Sequence, residues 1–358
     1  MININKCDIK ETVNYLNSVI EKKYIPGVSF AVVTSNDSLD CYLGNMTFDD
    51  DSEVINKDSL YDLASVTKVV STTTLALMCI EKGLISLQTK VKEVLKDFPY
   101  EDITLLHLLT HTSGICADDK RYKKFYGEKS IKKFIYEKEL NFEPGTKVEY
   151  SDFGYVVLGF LIKELTGMQL DKLANKWIFK PLDMKNTMYC PSDFGKNAYC
   201  VPTEITKDRG LVKGYVHDGK AFRLDGLSGN AGLFSTVSDL TKFVQMILNN
   251  GNYKGKQVLS ISTVRLLKKC YTSNLNLRRT LGWIVNESSS PMGDYYSDVC
   301  LFHTGFTGTS VYIDFERNCG IILLTNRIHP IRDNPNITSI RNITHNLLLQ
   351  AYDQAKED

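Results

Sequence analysis

The sequence predicts an α/β protein whose antiparallel sheet is drawn from both ends of the chain, flanked by N- and C-terminal helices, with a mostly helical insertion between them. Three observations predict it. A helix-period run followed by two β-rich runs opens the chain. Short β-rich runs followed by a long helical stretch close it. Between them, residues 83–229 are dominated by helical patterns, loops and turn clusters. The expected division is a sheet domain from 1–82 and 230–358, a mostly helical domain from 83–229, and an active site in the cleft between them.

Taken in order, Asp8-Ile9-Lys10-Glu11 has the form of a capping box, and Ile9, Val13, Leu16 and Ile20 follow on one helical face. A first helix to about Lys22 is predicted. Pro26-Gly27 stops it, and the β-rich runs 28–34 and 39–43 flank Asn36-Asp37, the pattern of a hairpin. Near the other end, 281–285, 310–315 and 320–325 read as short strands. A helix is predicted over about 337–355. There is no internal repeat and no low-complexity segment.

Composition narrows the function. Of 358 residues, 43% are hydrophobic and 24% charged, and Lys+Arg 43 nearly balances Asp+Glu 42. These are the proportions of an ordinary globular protein. Nucleic-acid grooves and anionic membrane surfaces are recognised by dense positive charge, which this balance does not supply. A small-molecule or peptide-like substrate fits better, with no nucleic acid as partner. The longest strongly apolar run, 155–162, is far short of the roughly 18–20 residues of a membrane span. The first residues show no basic and apolar leader pattern, so a cytoplasmic location is expected unless a leader has been trimmed away. Nine scattered cysteines with no C-x-x-C pair read as free thiols. His107 and His111 are four apart and could share a helix face, but no Glu accompanies them as in H-E-x-x-H. No metal and no cofactor are expected.

The chemistry begins at Ser65-Val66-Thr67-Lys68, at the entrance to an apolar helical run that ends at Lys82-Gly83. A serine hydroxyl is a poor nucleophile until a base takes its proton, and i to i+3 on a helix sets a lysine amine beside it. The positive end of the helix is expected to depress the lysine pKa. A serine that merely caps a buried helix has the same spacing, and Ser-x-x-Lys arises about once by chance in a chain of this length. It recurs at Ser130-Ile131-Lys132-Lys133, where Ser130 reads as the N-cap of an exposed basic helix. Two further segments bear on Ser65. Glu149-Tyr150-Ser151-Asp152 opens another apolar helix, where a tyrosine of lowered pKa could relay a proton and a packed aromatic would look the same. His303-Thr304-Gly305-Phe306 lies at a strand edge, where glycine would let a substrate backbone approach and main-chain N–H groups point outward.

The order Ser-x-x-Lys, Tyr-Ser-x, x-Thr-Gly, separated by about 80 and 150 residues, resembles the three active-site motifs of penicillin-binding proteins and serine β-lactamases. The resemblance is closest to the class C β-lactamase group, which includes D-Ala-D-Ala peptidases and esterases. Leu108-Leu109-Thr110-His111-Thr112-Ser113-Gly114, Lys180-Pro181-Leu182-Asp183-Met184, Gly229-Asn230-Ala231-Gly232 and Leu281-Gly282-Trp283 also resemble it. The resemblance implies a β-lactamase/transpeptidase-like fold. Its implied chemistry is a serine hydrolase in which Ser65 attacks a carbonyl, Lys68 and Tyr150 shuttle its proton, and the Ser65 and Phe306 N–H groups hold the oxyanion. Asp152, His303, Thr304 and Gly305 fall at substrate-binding positions, and His217 in a loop near the cleft. Trp283 reads as core.

Two departures bear on substrate. The second motif ends in Asp152 where asparagine is usual, and the third begins with His303 where lysine is usual. Asp152 adds a negative charge facing the substrate, and neutral His303 attracts a carboxylate less than lysine does. Arg327 and Arg332 remain as the nearby cations. The expected function is therefore cleavage of an ester or amide through an acyl-enzyme, with weak or absent β-lactamase activity. An exported D-Ala-D-Ala cell-wall peptidase and a non-catalytic ligand-binding member of the fold are the alternatives.

Overall fold

The computed structural model describes residues 4–334 and 336–357. Five antiparallel strands form the main sheet: β1 (Gly27–Thr34), β2 (Ser38–Gly44), β3 (Cys300–Thr304), β4 (Ser310–Asp314) and β5 (Cys319–Thr325), in the spatial order β3-β4-β5-β1-β2. β1 is the seam between the two ends of the chain, pairing Val28 with Thr325 through Thr34 with Cys319 on one side and with the hairpin partner β2 on the other. Its near-continuous apolar sequence suits a strand buried along its whole length.

Five helices complete the frame: α1 (Lys10–Glu21), α2 (Thr74–Glu81), α3 (Asp152–Thr166), α4 (Val237–Leu248) and α5 (Ile337–Glu357). One sheet face, with Val28, Phe30, Val32, Ile321 and Leu323, packs beneath α1 and α5. The other, with Ala31, Val33, Ile322 and Leu324, joins a larger apolar core that continues through α4, α2 and α3 into the helical region. α3 is apolar nearly all round and correspondingly buried from Phe153 to Ile162. No helix among the described residues is long and apolar enough to cross a membrane, and the nine cysteines are free thiols.

Three local expectations are corrected. Residues 281–285 do not form a strand: Ile284 alone bridges to Phe302, while Leu281 and Trp283 are buried and the Gly282 N–H donates to Leu109 O. The segment turns inward because Gly282, at φ +81°, lies against Thr73, where a Cβ would come within 2.3 Å of the threonine Oγ1. α1 has no reciprocal capping box, and Asp8 instead accepts the Lys10 N–H. Ser130 is no N-cap. Its helix, Glu128–Tyr136, is entered through Gly127 at φ +79°, and the Ser130 hydroxyl bonds back to the Gly127 carbonyl.

α3 meets the 229–230 segment at a pair of glycines. A Cβ on Gly229 would lie 2.1 Å from Tyr155 O and 3.0 Å from Gly159 N. Gly229→Ala is therefore expected to destabilise the protein by about 1–3 kcal/mol, the usual range for overpacking. Urea unfolding of the variant checks this, and an unchanged midpoint would refute it.

Candidate active site

The segment carrying Ser65 is held in an irregular shape. Buried Asp62 accepts the Ala64 N–H at 2.8 Å through one oxygen and the His217 N–H at 2.7 Å through the other. Ala64 sits at φ +46°, a left-handed conformation that costs a non-glycine residue about 1–2 kcal/mol. A 3₁₀ turn, Ala64–Val66, then leads into a π-helical stretch, Lys68–Thr73, before α2 begins. The single helix expected from the sequence is thus three pieces. The cause lies in the β-branched run Val69, Val70, Thr72, Thr73, Thr74, whose hydroxyls find partners away from the regular ladder: Thr72 donates to Gly229 O and Thr74 to Val69 O.

Within that turn the i, i+3 spacing does bring Ser65 and Lys68 together. Lys68 is fully buried, and its Nζ donates to Ser65 Oγ at 2.9 Å, Asp152 Oδ1 at 2.8 Å and Asn230 O at 2.9 Å. The other Asp152 oxygen accepts from Lys220 at 3.1 Å. Burial pushes the Lys68 pKa down, but Asp152 and then Tyr150 outweigh it, so the ammonium is held above its ordinary value. This corrects the expected depression by the helix terminus. A carboxylate at ion-pair distance dominates partial charges on backbone N–H groups. Burial would raise Asp152, but Lys68 and Lys220 overcome it and keep the carboxyl below the usual range. The stabilisation tied to Lys68 is thus fully present below about pH 10.4 and is lost only as pH rises through its folded value. That of Asp152 is present above about pH 3.9 and is lost as pH falls through its own. The pair persists across the neutral range.

Asp152 therefore does not face a substrate as an unbalanced charge. α3 begins directly after Ser151, whose hydroxyl caps the Gly154 N–H, and this points Asp152 inward to the two lysines. Tyr150, just outside the helix, is 39% exposed, with its ring centroid 4.8 Å from Lys68 Nζ. Burial of the phenol outweighs the pull of Lys68, so its pKa is raised, not lowered. His111 holds this tyrosine in place: its Nδ1 accepts the Ser151 N–H at 3.1 Å, and its ring lies 4.6 Å from that of Tyr150. His107 serves a different purpose, accepting the Thr104 N–H at the start of a short helix, Leu105–Leu109.

The third segment is the β3–β4 turn. Thr307 Oγ1 donates to Asp62 O at 2.7 Å and Thr309 Oγ1 to Leu63 O at 3.0 Å, fastening this turn to the segment that carries Ser65. Gly305 is where the two touch: a Cβ there would lie 2.1 Å from Thr309 Oγ1 and 2.4 Å from Leu63 O, and its N–H is turned inward to Thr309 O. Glycine here admits another protein segment, not a substrate backbone. The N–H groups of Ser65 and Phe306 find no acceptor among the described residues. His303 is buried. Its Nδ1 bonds to Thr304 O at 2.9 Å and so carries the proton, and burial together with Lys68 pushes its pKa down to about 3.

These residues enclose a cavity of about 390 Å³ whose walls include Ser65, Tyr150, His303, Thr304, Gly305 and Phe306. Its remaining walls are His111, Arg279, Gly282, Ile284 and Arg341, which the sequence does not mark as parts of a site, and Arg327 at the Phe306 side, one of the two cations expected nearby. His217 is not in the wall. It stacks behind the Phe306 ring, 5.9 Å between centroids, with Nε2 2.7 Å from Glu204, which also pairs with Arg332. Lys220 and Asn230 were missed as well, although Lys220 follows His217-Asp218 and Asn230 lies in a stretch already singled out. A larger groove of about 480 Å³ around Phe179 and Tyr189 has neither serine nor cysteine among its lining residues.

Comparison with known proteins identifies the family of the chain. The Beta-lactamase family model matches residues 14–343. The N-acetylmuramyl-L-alanine amidase of Bacillus subtilis (strain 168) is 33% identical over 316 residues, covering 78% of this chain and 71% of that protein. A provisionally named D-alanyl-D-alanine carboxypeptidase of Escherichia coli O157:H7 is 31% identical over 322 residues, covering 78% and 72%. Among solved structures, simvastatin synthase from Aspergillus terreus superimposes with a TM-score of 0.77 at 21% identity over 98% of this chain and 99% of that one. A match across nearly the whole chain, with two relatives above 30% identity, establishes that this protein belongs to the beta-lactamase family and is one of its serine hydrolases.

Proposed function

We propose that Ser65 is the acylated nucleophile of a hydrolase acting on an ester or amide, with Lys68 and Tyr150 managing its proton. The observation that carries this reading is the 2.9 Å contact between Lys68 Nζ and Ser65 Oγ in the wall of a cavity that also holds Tyr150 and the unpaired Phe306 N–H. In acylation, Ser65 Oγ bonds to the substrate carbonyl carbon while its proton passes to Lys68 in its neutral form. The oxyanion rests on the N–H groups of Ser65 and Phe306, and Tyr150 passes a proton to the departing alcohol or amine. Water then adds to the acyl carbon and regenerates Ser65. The names of the amidase and carboxypeptidase relatives favour a peptide-like amide as natural substrate. His303, neutral at physiological pH, supports weak use of β-lactams.

Incubation with p-nitrophenyl esters, a D-Ala-D-Ala peptide and a penicillin, followed by intact mass, tests the reading. An acyl adduct on the wild-type protein, absent from Ser65→Ala, is expected with at least one of them. Turnover should fall at least ~10³-fold in Ser65→Ala and in Lys68→Ala. Full activity in Ser65→Ala would overturn the assignment.

The ionisation of the site makes a second expectation. Lys68 and Tyr150 both have raised pKa values, so the basic form of either grows as pH rises. The kcat/KM of ester hydrolysis should climb from pH 6 toward pH 9, with no inflection from His303, whose pKa lies near 3. Asp152→Asn removes the carboxylate that holds the Lys68 proton and should move the rising limb to lower pH by roughly 1 unit or more. A limb left in place would show that Lys68 does not govern it.

A further inference from the structure

The charges around the Ser65 cavity do not cancel. Arg279, Arg327 and Arg341 are all in its wall, and no aspartate or glutamate is. The acids nearby are already engaged: Asp152 with Lys68 and Lys220, Glu204 with Arg332 and His217, and Glu287 with the Arg278 N–H. None of the three wall arginines forms an ion pair among the described residues. Arg327 and Arg341 make their bonds to backbone, with the Arg341 Nε left buried and unpartnered among the described residues. Arg327 donates to Phe306 O, Arg332 O and Asn334 O, and Arg341 to Gly305 O and Thr309 O.

Arg279 differs. It is 8% exposed, its guanidinium makes one hydrogen bond, from Nη1 to Arg278 O, and Glu287 acts on it only from beyond ion-pair distance. Of the five guanidinium N–H donors, the others have no acceptor among the described residues. A buried cation without a counterion is expensive, and burial lowers the Arg279 pKa and brings that of Arg341 down to about 9. An anion supplied from outside would remove the cost.

Resting on the reading of Ser65 as nucleophile, we infer that the cavity takes substrates bearing a free carboxylate and that Arg279 is the residue that selects it. The planar guanidinium presents two parallel N–H groups to a carboxylate, and Arg327 and Arg341 add positive field without giving up their backbone bonds. This role falls to a neighbour of the lysine position that His303 occupies, since Arg279 bridges to Ile284 and Ile284 to Phe302. A neutral substrate of the same shape leaves Arg279 buried and unpaired, so discrimination comes from both the gain and the penalty.

The test measures binding separately from turnover, in the Ser65→Ala protein, by calorimetry with two matched pairs. One is N-acetyl-D-Ala-D-Ala and its C-terminal amide. The other is p-nitrophenyl hydrogen adipate and its methyl ester. In at least one pair the acid should bind ~10-fold or more tighter than the neutral partner, and Arg279→Gln on the same background should bring the two within ~3-fold. Arg279→Lys keeps the charge without the planar fork and should retain only part of the preference. It decides the matter if the glutamine variant does not fold. Equal binding of acid and neutral partner in both pairs overturns the inference, as does a full preference surviving in either variant. Failure of wild-type protein to form a Ser65 adduct would count against the catalytic reading alone, since binding is scored without it.

Discussion

The buried ion pair between Lys68 and Asp152 is the constraint on which the site depends. Two charges taken out of water cost several kcal/mol each, and the structure recovers this only because every polar atom involved is engaged. Lys68 reaches Ser65, Asp152 and Asn230, while Asp152 reaches both Lys68 and Lys220. The pair joins three separate pieces of chain: the π-helical stretch after Ser65, the first residue of α3, and the glycine-rich segment at 229–230. Whatever orients the start of α3, including the Ser151 cap and the His111 contact, thereby orients the lysine beside Ser65. The same pair fixes the resting state as ammonium and carboxylate, so the role proposed for Lys68 as base draws on the minor, neutral form of the amine.

A second joint gives the site its shape. The sheet delivers the β3–β4 turn, and Asp62, Leu63, Thr307 and Thr309 stitch it to the Ser65 segment through side-chain bonds to main-chain carbonyls. The N–H groups of Ser65 and Phe306 are left over from this stitching. Asp62 contributes from beneath by holding Ala64 in its left-handed conformation, and the His217 N–H shares the same carboxylate. His217 and Glu204, with Arg327 and Arg332 around the Phe306 ring, brace that residue from outside the cavity. The near-neutral composition of the chain conceals a locally positive cavity, since the charge balance of a whole sequence says nothing of where each charge is compensated.

Much of the frame was legible in the sequence because it rests on local periodicity. The hairpin, the last two strands and the terminal helices follow from alternating or helical spacing in single segments, and the motif order pointed to the family and drew attention to Ser65, Lys68 and Tyr150, which the structure brings to one place. Residues 281–285 were misjudged because a short apolar run reads alike whether it pairs in a sheet or turns into a helical core, and a contact between Gly282 and Thr73, 209 positions earlier in number, decided between them. Ser130 was misjudged because cap chemistry depends on which residue leaves the helix, and a glycine at positive φ took that place.

By itself the sequence determined which residue types stand in the three motifs, and hence the family and reaction class, because those depend on identity and order along one chain. Only the tertiary structure decided their electrostatics. The direction of the Lys68 pKa, the inward turn of Asp152, the place of His217 behind Phe306 and the unpaired Arg279 all depend on distances between segments far apart in sequence. Coulombic and desolvation energies are set by those distances and by burial, neither of which is written in the spacing of a motif.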